Sequence, residues 1–517
     1  MRTTLVALLV LVVVARAEDS LAEALTALRV APAKDSDAAV QAVLALKPKR
    51  AAVLEALRKP LGIVATKAGW QSLEATDING VTRPFEIYIP ESIVGKSEPV
   101  PLVVHMHGGV SRAAYPANPG QGSSAVLWLP SAEEQGFVIV APAGRAGCVW
   151  WRPEGAAHVR AVIREAKRLA PIDDDAITGT GFSDGGSGSF YLAMAEPDPF
   201  AAFIPMNGHP AVASGASKQQ LYLSNLARTP LFVTMTQDDS LYPAASQLPH
   251  LRAAMGAGAA MHLFSYPRGG HQPIYFKELR TIFERFVTDT PRDPNPRALQ
   301  WKCATPELGR TAWLAIEEIG ASDSDPAPAD DLNVMSTPGR VRIGVGVDRA
   351  FEGVGVRITS ISKGSLASKL ELKVGDVIVE MDGKQVKGLA DLSAILRAKS
   401  LGDDAALKLR RGEESLEKQG RFPPFVARPI YSRDKPTARI ALTSEGNRVM
   451  VRSRNVRRFR LSLPHDLFGD GEIVLAVNGK RIQPETREIS LEEILKRYAL
   501  QADSGRVYGR EATVKVE

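Results

Sequence analysis

Ala176-Ile177-Thr178-Gly179-Thr180-Gly181-Phe182-Ser183-Asp184-Gly185-Gly186-Ser187-Gly188-Ser189 is the stretch that decides how the rest of the chain is read. A β-favouring run, Ala176 to Thr180, meets G-x-S-x-G at Gly181 to Gly185, and an apolar helix-like segment, Phe190 to Ala195, follows. The pattern predicts a strand, a sharp turn and a helix. A serine hydroxyl is a weak nucleophile until a turn lifts it off the sheet and a base takes its proton. Glycines two residues to either side of Ser183 let the backbone turn without a Cβ clash. The following helix aims free N–H groups, that of Asp184 first, back to where an oxyanion would form. Gly179-x-Gly181 is also a fragment of a dinucleotide loop, but Asp184 stands where its third glycine would be.

Upstream, Pro101 to Met106 reads as a buried strand ending in His107-Gly108-Gly109, and Gly136 to Pro142 as another. Val159 to Leu169 has the periodicity of an amphipathic helix. Downstream, Phe200 to Met206, Pro230 to Thr236 and Ala260 to Tyr266 are short apolar strands, with Ile274 to Val287 as a closing helix. After the last two strands come Gln237-Asp238-Asp239-Ser240-Leu241-Tyr242-Pro243 and Pro267-Arg268-Gly269-Gly270-His271.

From about Gly69 to Val287 this order resembles the α/β-hydrolase superfamily, specifically secreted feruloyl-esterase and polyhydroxybutyrate-depolymerase-like serine esterases. The resemblance implies a doubly wound α/β sheet with Ser183 as nucleophile, His271 as base and Asp239, preferred to Asp238, as the acid. It also implies an oxyanion hole from backbone N–H groups at Gly108, Gly109 and Asp184. Similar enzymes carry a Cys/Trp stretch like Gly147 to Trp151; Trp150 and Trp151 either wall the substrate pocket or pack the core. The remaining histidines, His105, His158, His209, His250 and His262, read as structural or surface residues.

The 517 residues exceed one core, and a net charge of +6, scattered along the chain, gives little argument for nucleic acid. The densest basic cluster, Arg452, Arg454, Arg457, Arg458 and Arg460, alternates as a solvated strand face would. Residues 1–17 have the form of a signal peptide: Arg2, an apolar Leu5 to Val14, then Ala15-Arg16-Ala17. The expectation is an exported chain, periplasmic or extracellular, without a transmembrane segment. Export permits a bridge between Cys148 and Cys303, the two cysteines; two buried thiols fit equally. No cluster of His and carboxylate side chains has ligand spacing, so neither metal nor cofactor is expected.

Residues 18–60 read as short helices without chemistry, and 61–290 as the catalytic domain. Residues 291–338 hold the first strands of a β-rich module and the acidic, proline-rich linker Ser322 to Pro338. In 339–422, Gly355 to Ile361, Gly364 to Ala367 and Leu372 to Gly383 resemble a PDZ domain. Its carboxylate-binding loop would be Arg342-Ile343-Gly344-Val345, with Ile343 and Val345 as pocket walls and arginine in place of the usual aromatic or glycine. Residues 423–517 resume a β-rich pattern, so the PDZ segment is expected to interrupt one module.

The expected function is an exported serine esterase using an acyl-enzyme, acting on a small or polymer-linked ester, its PDZ domain docking a peptide carboxyl terminus. A prolyl-oligopeptidase-like peptidase and an inert envelope-binding protein are the alternatives. Missing an amino-terminal propeller, the chain fits the peptidase less well.

Overall fold

The computed structural model describes residues 20–32, 35–60, 62–320, 334, 341–424, 426, 430–431 and 434–516. The expected leader, Met1 to Ala17, most of the linker Ser322 to Pro338, and Phe425, where the β-rich pattern resumes, lie outside the described residues. The chain divides into two compact units, Met1–Val334 with Tyr431–Glu517, and Met335–Ile430.

In the larger unit, helices α1 (20–30), α2 (Ser36–Ala45) and α3 (Arg50–Leu57) come first. Their apolar faces (Leu25, Leu28, Val40, Val43, Val53, Leu57) pack on Ile494, Leu495 and Tyr498 of the helix Leu491–Gln501. The two ends of the chain thus share one small core, and each fully buried Leu or Val adds about 1.5–3 kcal/mol of transfer free energy to it.

Eight strands follow: β1 (Gly69–Thr76), β2 (Thr82–Ile89), β3 (Val100–Met106), β4 (Val138–Pro142), β5 (Ile172–Phe182), β6 (Ala202–Met206), β7 (Leu231–Thr236) and β8 (Met261–Tyr266). They form one sheet in the order β1-β2-β4-β3-β5-β6-β7-β8, which is an α/β-hydrolase sheet. The β1-β2 hairpin is antiparallel and joins β4 antiparallel; every later neighbour pair is parallel. Between and after them lie α4 (Leu129–Gln135), α5 (Pro153–Leu169), α6 (Asp184–Ala195), α7 (Pro210–Ser217), α8 (Ala244–Gly256) and α9 (Phe276–Thr288). Strands β4, β6 and β7 are buried at every residue, as parallel strands covered on both faces must be. In α5, Pro153 and Glu154 stand in the first turn and Lys167 and Arg168 in the last, each at the helix end its chemistry favours.

Two of the sequence boundaries move. Strand β5 starts at Ile172 rather than Ala176, and α6 starts at Asp184, so the run Gly185 to Ser189 is helical rather than a loop before Phe190. Glycine is tolerated in this helix because no side chain would fit: a Cβ on Gly185 would lie 1.8 Å from the Met106 carbonyl oxygen, and one on Gly188 would lie 2.4 Å from Trp150 Cβ.

The strands before and after the PDZ segment pair with each other. Ala298–Cys303 is antiparallel to Ala438–Glu445, and Leu314–Ile319 is antiparallel to Val456–Leu463. They belong to two five-stranded sheets whose remaining strands all follow the PDZ segment, Arg310–Thr311 excepted. Cys148 and Cys303 are free, buried thiols.

A buried ionic cluster ties this β module to the amino end of β5. Arg292, 2% exposed, donates to Asp175 Oδ1 (2.8 Å), to the Asp198 carbonyl (2.7 Å) and to both carboxylate oxygens of Asp503 (2.7 and 2.8 Å). Lys167 reaches Asp174 at 2.7 Å, and Arg506 reaches Asp198 at 2.8 Å. Burial on its own would raise the Asp503 pKa, but Arg292 holds it well below the usual carboxylate range. Removing one member of such a cluster strands the other in a poorly solvating interior. Arg292→Ala is therefore expected to destabilise the larger unit by about 3–5 kcal/mol, read by urea unfolding; a loss comparable to that of an exposed arginine would contradict this account.

In the smaller unit, Val345–Val347, Val356–Ile361, Val377–Met381, Asp404–Arg411 and Glu414–Arg421 form a sheet in that order, with helices Leu366–Lys369 and Leu389–Arg397. Ile343, Val356, Ile358, Leu366, Ile378, Leu392 and Leu407 are among its core residues.

Candidate active site

Because β3, β5, β6, β7 and β8 are parallel and in register, their carboxyl ends line one edge: Met106 sits opposite Gly181, Phe182 opposite Met206, Met206 opposite Thr234, and Thr236 opposite Tyr266. The residues that follow each strand therefore meet there, as ligands and reactive groups do in open α/β sheets.

Ser183 occupies φ 60°, ψ −117°, a strained position for a side-chain-bearing residue. Its N–H donates to the Met206 carbonyl at 3.0 Å, so the turn is held by the neighbouring strand. Ser183 Oγ lies 2.7 Å from His271 Nε2, and His271 Nδ1 lies 2.8 Å from Asp239 Oδ2. A carboxylate can only accept, so Nδ1 carries the proton and Nε2 is left to accept from the serine hydroxyl. The His271 ring is flanked by Phe182 (centroids 4.9 Å apart) and Tyr242 (5.6 Å), which fix its plane.

Asp239 is buried, and burial alone would raise its pKa. Hydrogen bonds from His271, Asn207 and the N–H groups of Tyr242 and Leu241 outweigh it and bring the pKa down to about 2. Asp238 has a different partner set: its carboxylate accepts from the N–H groups of Gly270 (2.7 Å) and Gly269 (3.3 Å), holding the loop that carries His271. Gly270 sits at φ +58° and its carbonyl accepts from the Thr236 hydroxyl.

The His107-Gly108-Gly109 loop lies against the serine. A Cβ on Gly108 would approach Ser183 Cβ to 3.1 Å, and Gly109 has φ +70°. His107 Nδ1 donates to the Gly108 carbonyl (2.7 Å) and Nε2 accepts from the Gly144 N–H (2.9 Å), pinning this loop to the one after β4. The Val110 N–H donates to Asp184 Oδ2 at 3.0 Å. Among the described residues the N–H groups of Gly108, Gly109 and Asp184, the three expected to serve an oxyanion, have no acceptor.

Sequence reasoning missed Asn207. It sits at φ 44°, just past β6, donates to Asp239 Oδ2 (2.9 Å) and Thr236 Oγ1 (3.1 Å), and accepts from the Tyr275 hydroxyl (2.6 Å). The signal was present: asparagine is the side-chain-bearing residue that most readily takes a left-handed turn, and this one precedes Gly208 directly after a strand. The carboxylate of Asp184 was also missed, since only its N–H entered the motif.

Trp150 and Trp151 do not wall a substrate site. Trp150 is fully buried, its indole N–H donates to the His107 carbonyl at 2.8 Å, and Trp151 is 8% exposed. Both are packing residues, and Trp150 supports the His107 loop from behind. In the smaller unit, Ile343 is likewise core rather than pocket wall, 2% exposed. Gly344 turns at φ +88°, where a Cβ would lie 2.2 Å from Ser365 Cβ, while Arg342 is exposed and Val345 half-buried. The N–H groups of Ile343 and Gly344 have no acceptor among the described residues, and Val345–Val347 is an edge strand.

Residues 341–419 match the PDZ domain family. A stretch of 144 residues, 27% of the chain, is 31% identical to part of a bifunctional acetylxylan esterase/xylanase of Neocallimastix patriciarum, of whose length it spans 20%. Among solved structures the chain is similar to a thermostable esterase (21% identity, TM-score 0.37, covering 43% of this chain and 63% of that one). It is also similar to the acylaminoacyl peptidase of Pyrococcus horikoshii (16%, TM-score 0.35, 43% and 42%). A Pyrococcus furiosus esterase is similar at 11% identity (TM-score 0.33, 44% and 97%). The chain thus spans about a fifth of the curated relative and under two thirds of the first two structures.

Four histidines of this unit are held neutral by burial: His105 and His250 at about 3, His158 and His209 at about 4. Their pKa is depressed below the unfolded value of about 6.5, so between that pH and about 4 the unfolded chain binds more protons. Stability is complete above the upper limit and falls as pH drops through this window, each histidine adding on the order of 1 kcal/mol per pH unit. The expected result is a melting temperature that declines from neutral pH to pH about 5, less steeply in His158→Gln; a flat profile would refute it.

Proposed function

We propose that the protein is an exported serine hydrolase that cleaves carboxylic esters. The observation that carries this reading is the continuous hydrogen-bonded chain Ser183–His271–Asp239 at the carboxyl edge of the sheet. His271 Nε2 takes the Ser183 proton as Oγ attacks the ester carbonyl, and the N–H groups of Gly109 and Asp184 receive the oxyanion. Asp239 stays ionised at any pH well above 2 and stabilises the imidazolium. The imidazolium then protonates the departing alcohol, leaving an acyl-serine. Water, activated by the same imidazole, attacks this ester and restores Ser183.

The amino-terminal sequence supports export, by its basic, apolar and small-residue order. The smaller unit would add a binding function: its open edge strand and the free N–H groups at Ile343 and Gly344 suit a peptide that adds as a strand and ends in a carboxylate.

Labelling of the full-length protein by a fluorophosphonate is the direct test. Wild type is expected to label, and Ser183→Ala and His271→Ala are expected to lose both labelling and 4-nitrophenyl acetate hydrolysis by roughly three or more orders of magnitude. Turnover of esters but not of peptide amides by the wild type separates esterase from peptidase; near-normal hydrolysis by Ser183→Ala would refute the assignment. For the smaller unit, fluorescence anisotropy is expected to detect peptides with free carboxyl termini and to lose them on carboxyl-terminal amidation; equal binding of amidated peptides would rule out carboxylate capture.

A further inference from the structure

Arg112 stands out because it is an exposed cation built into the loop beside Ser183 and used by nothing in the chemistry above. Its guanidinium lies flat over Gly109: a Cβ at that glycine would be 3.1 Å from Arg112 Nη2 and 3.4 Å from both Cζ and Nε. The glycine at 109 therefore serves two ends, a backbone at φ +70° and room for the arginine above it. Gly108, one residue back, is in contact with Ser183.

The arginine is held in place from both sides. The Val110 N–H is bound by Asp184 and the Arg112 carbonyl accepts from the Ala146 N–H at 2.8 Å. Arg145 donates to the Ala113 carbonyl and covers the ring of Tyr115 at 4.7 Å, bracing the continuation of the loop. Yet the Arg112 guanidinium has no carboxylate partner among the described residues, and Asp184, Asp238 and Asp239 of the candidate site are each committed to backbone N–H groups or His271. An unpaired guanidinium carried on a braced loop offers parallel N–H donors that match a carboxylate. The loops that carry Asp239 and His271 expose Leu241 (63%) and Ile274 (44%), both apolar.

We infer that Arg112 selects an anionic substrate: an ester whose acyl or alcohol part bears a carboxylate, seated against the guanidinium while its apolar portion lies on Leu241 and Ile274. This deepens the esterase reading and rests on it.

The test compares esters of equal size that differ in charge, assayed with the full-length protein. One pair, 4-acetoxybenzoate and 4-acetoxybenzamide, places the charge on the leaving group; the other, 4-nitrophenyl monoadipate and 4-nitrophenyl methyl adipate, places it on the acyl group. Wild type is expected to favour the anion in at least one pair by roughly five- to tenfold in kcat/KM, an advantage that shrinks at high salt. Arg112→Gln should abolish the advantage through KM, Arg112→Lys should keep part of it, and Arg252→Gln, an exposed charge on α8, should keep all of it. Hydrolysis of both neutral esters by the wild type with no preference for either anion would overturn the inference alone. So would a parallel fall for charged and neutral esters in Arg112→Gln, because Arg112 would then act on the Gly108–Val110 loop rather than on the substrate. Failure of the wild type to turn over any of the four esters would instead overturn the esterase reading itself.

Discussion

The Met106 carbonyl at the end of β3 is the fixed point from which the site is built. Both outer glycines of G-x-S-x-G close on it: a Cβ at Gly181 would come within 2.4 Å of its oxygen and one at Gly185 within 1.8 Å. No side chain is tolerated at either position, so the turn between β5 and α6 presses directly on the strand that leads into His107-Gly108-Gly109. That contact puts Gly108 against Ser183, between the two segments whose N–H groups are left without acceptors. The strain at Ser183, of order 1–3 kcal/mol for such a backbone, is supported by packing and by the hydrogen bond to Met206 rather than by anything Ser183 itself contributes.

Strand β5 is held as firmly at its other end. Asp174 and Asp175 at its start are gripped by Lys167, Arg292 and the 503–504 segment, where Ser504 donates to Asp174 through both its N–H and its hydroxyl at 2.7 Å. Buried ion pairs of this kind are poor sources of stability but strict about geometry, since a partner displaced is a charge left without solvent. The β module therefore acts on the eight-stranded sheet through the amino end of the strand that leads to Ser183. Its strands come from both sides of the PDZ segment, so the segment's insertion point must leave their pairing undisturbed.

What could be read in the chain was whatever is local and forced by stereochemistry. The elbow, the glycine loops after β3 and β8 and the order of strands are written in short runs whose residue types allow few backbones. What could not be read depends on which side chains converge. Trp150 fits pocket wall and core equally because sequence does not say which way an indole points; its N–H turns inward to the His107 carbonyl. Helix α6 was placed too late because its first residues are glycines, poor helix formers chosen here for close approach to Met106, Met206 and Trp150. Asn207 was overlooked because its partners, Asp239 and Tyr275, lie 32 and 68 residues away. The core shared by α1–α3 and the helix Leu491–Gln501 was equally hidden, since each helix shows its apolar stripe but not its partner.

The adjacent carboxylates Asp238 and Asp239 show how the site resolves competing demands. A carboxylate that orients an imidazole has to be buried to act strongly, and burial opposes its charge. Asp239 meets this with donors on all sides, two backbone N–H groups, the Asn207 amide and His271, so that it accepts the imidazole proton's pull without taking the proton. Those donors fix its position but not that of His271, which sits on a loop with two positive-φ glycines, Gly269 and Gly270. Asp238 supplies the missing constraint by binding the N–H groups of both glycines. One short turn after β7 thus holds the ring through Asp239 and the loop beneath it through Asp238, and neither carboxylate could do the other's work from its own position. With Ser183, His271 and Asp239 all fixed through backbone contacts, the side chains of the surrounding loops, Arg112, Leu241 and Ile274 among them, are left free to set what the proposed esterase receives.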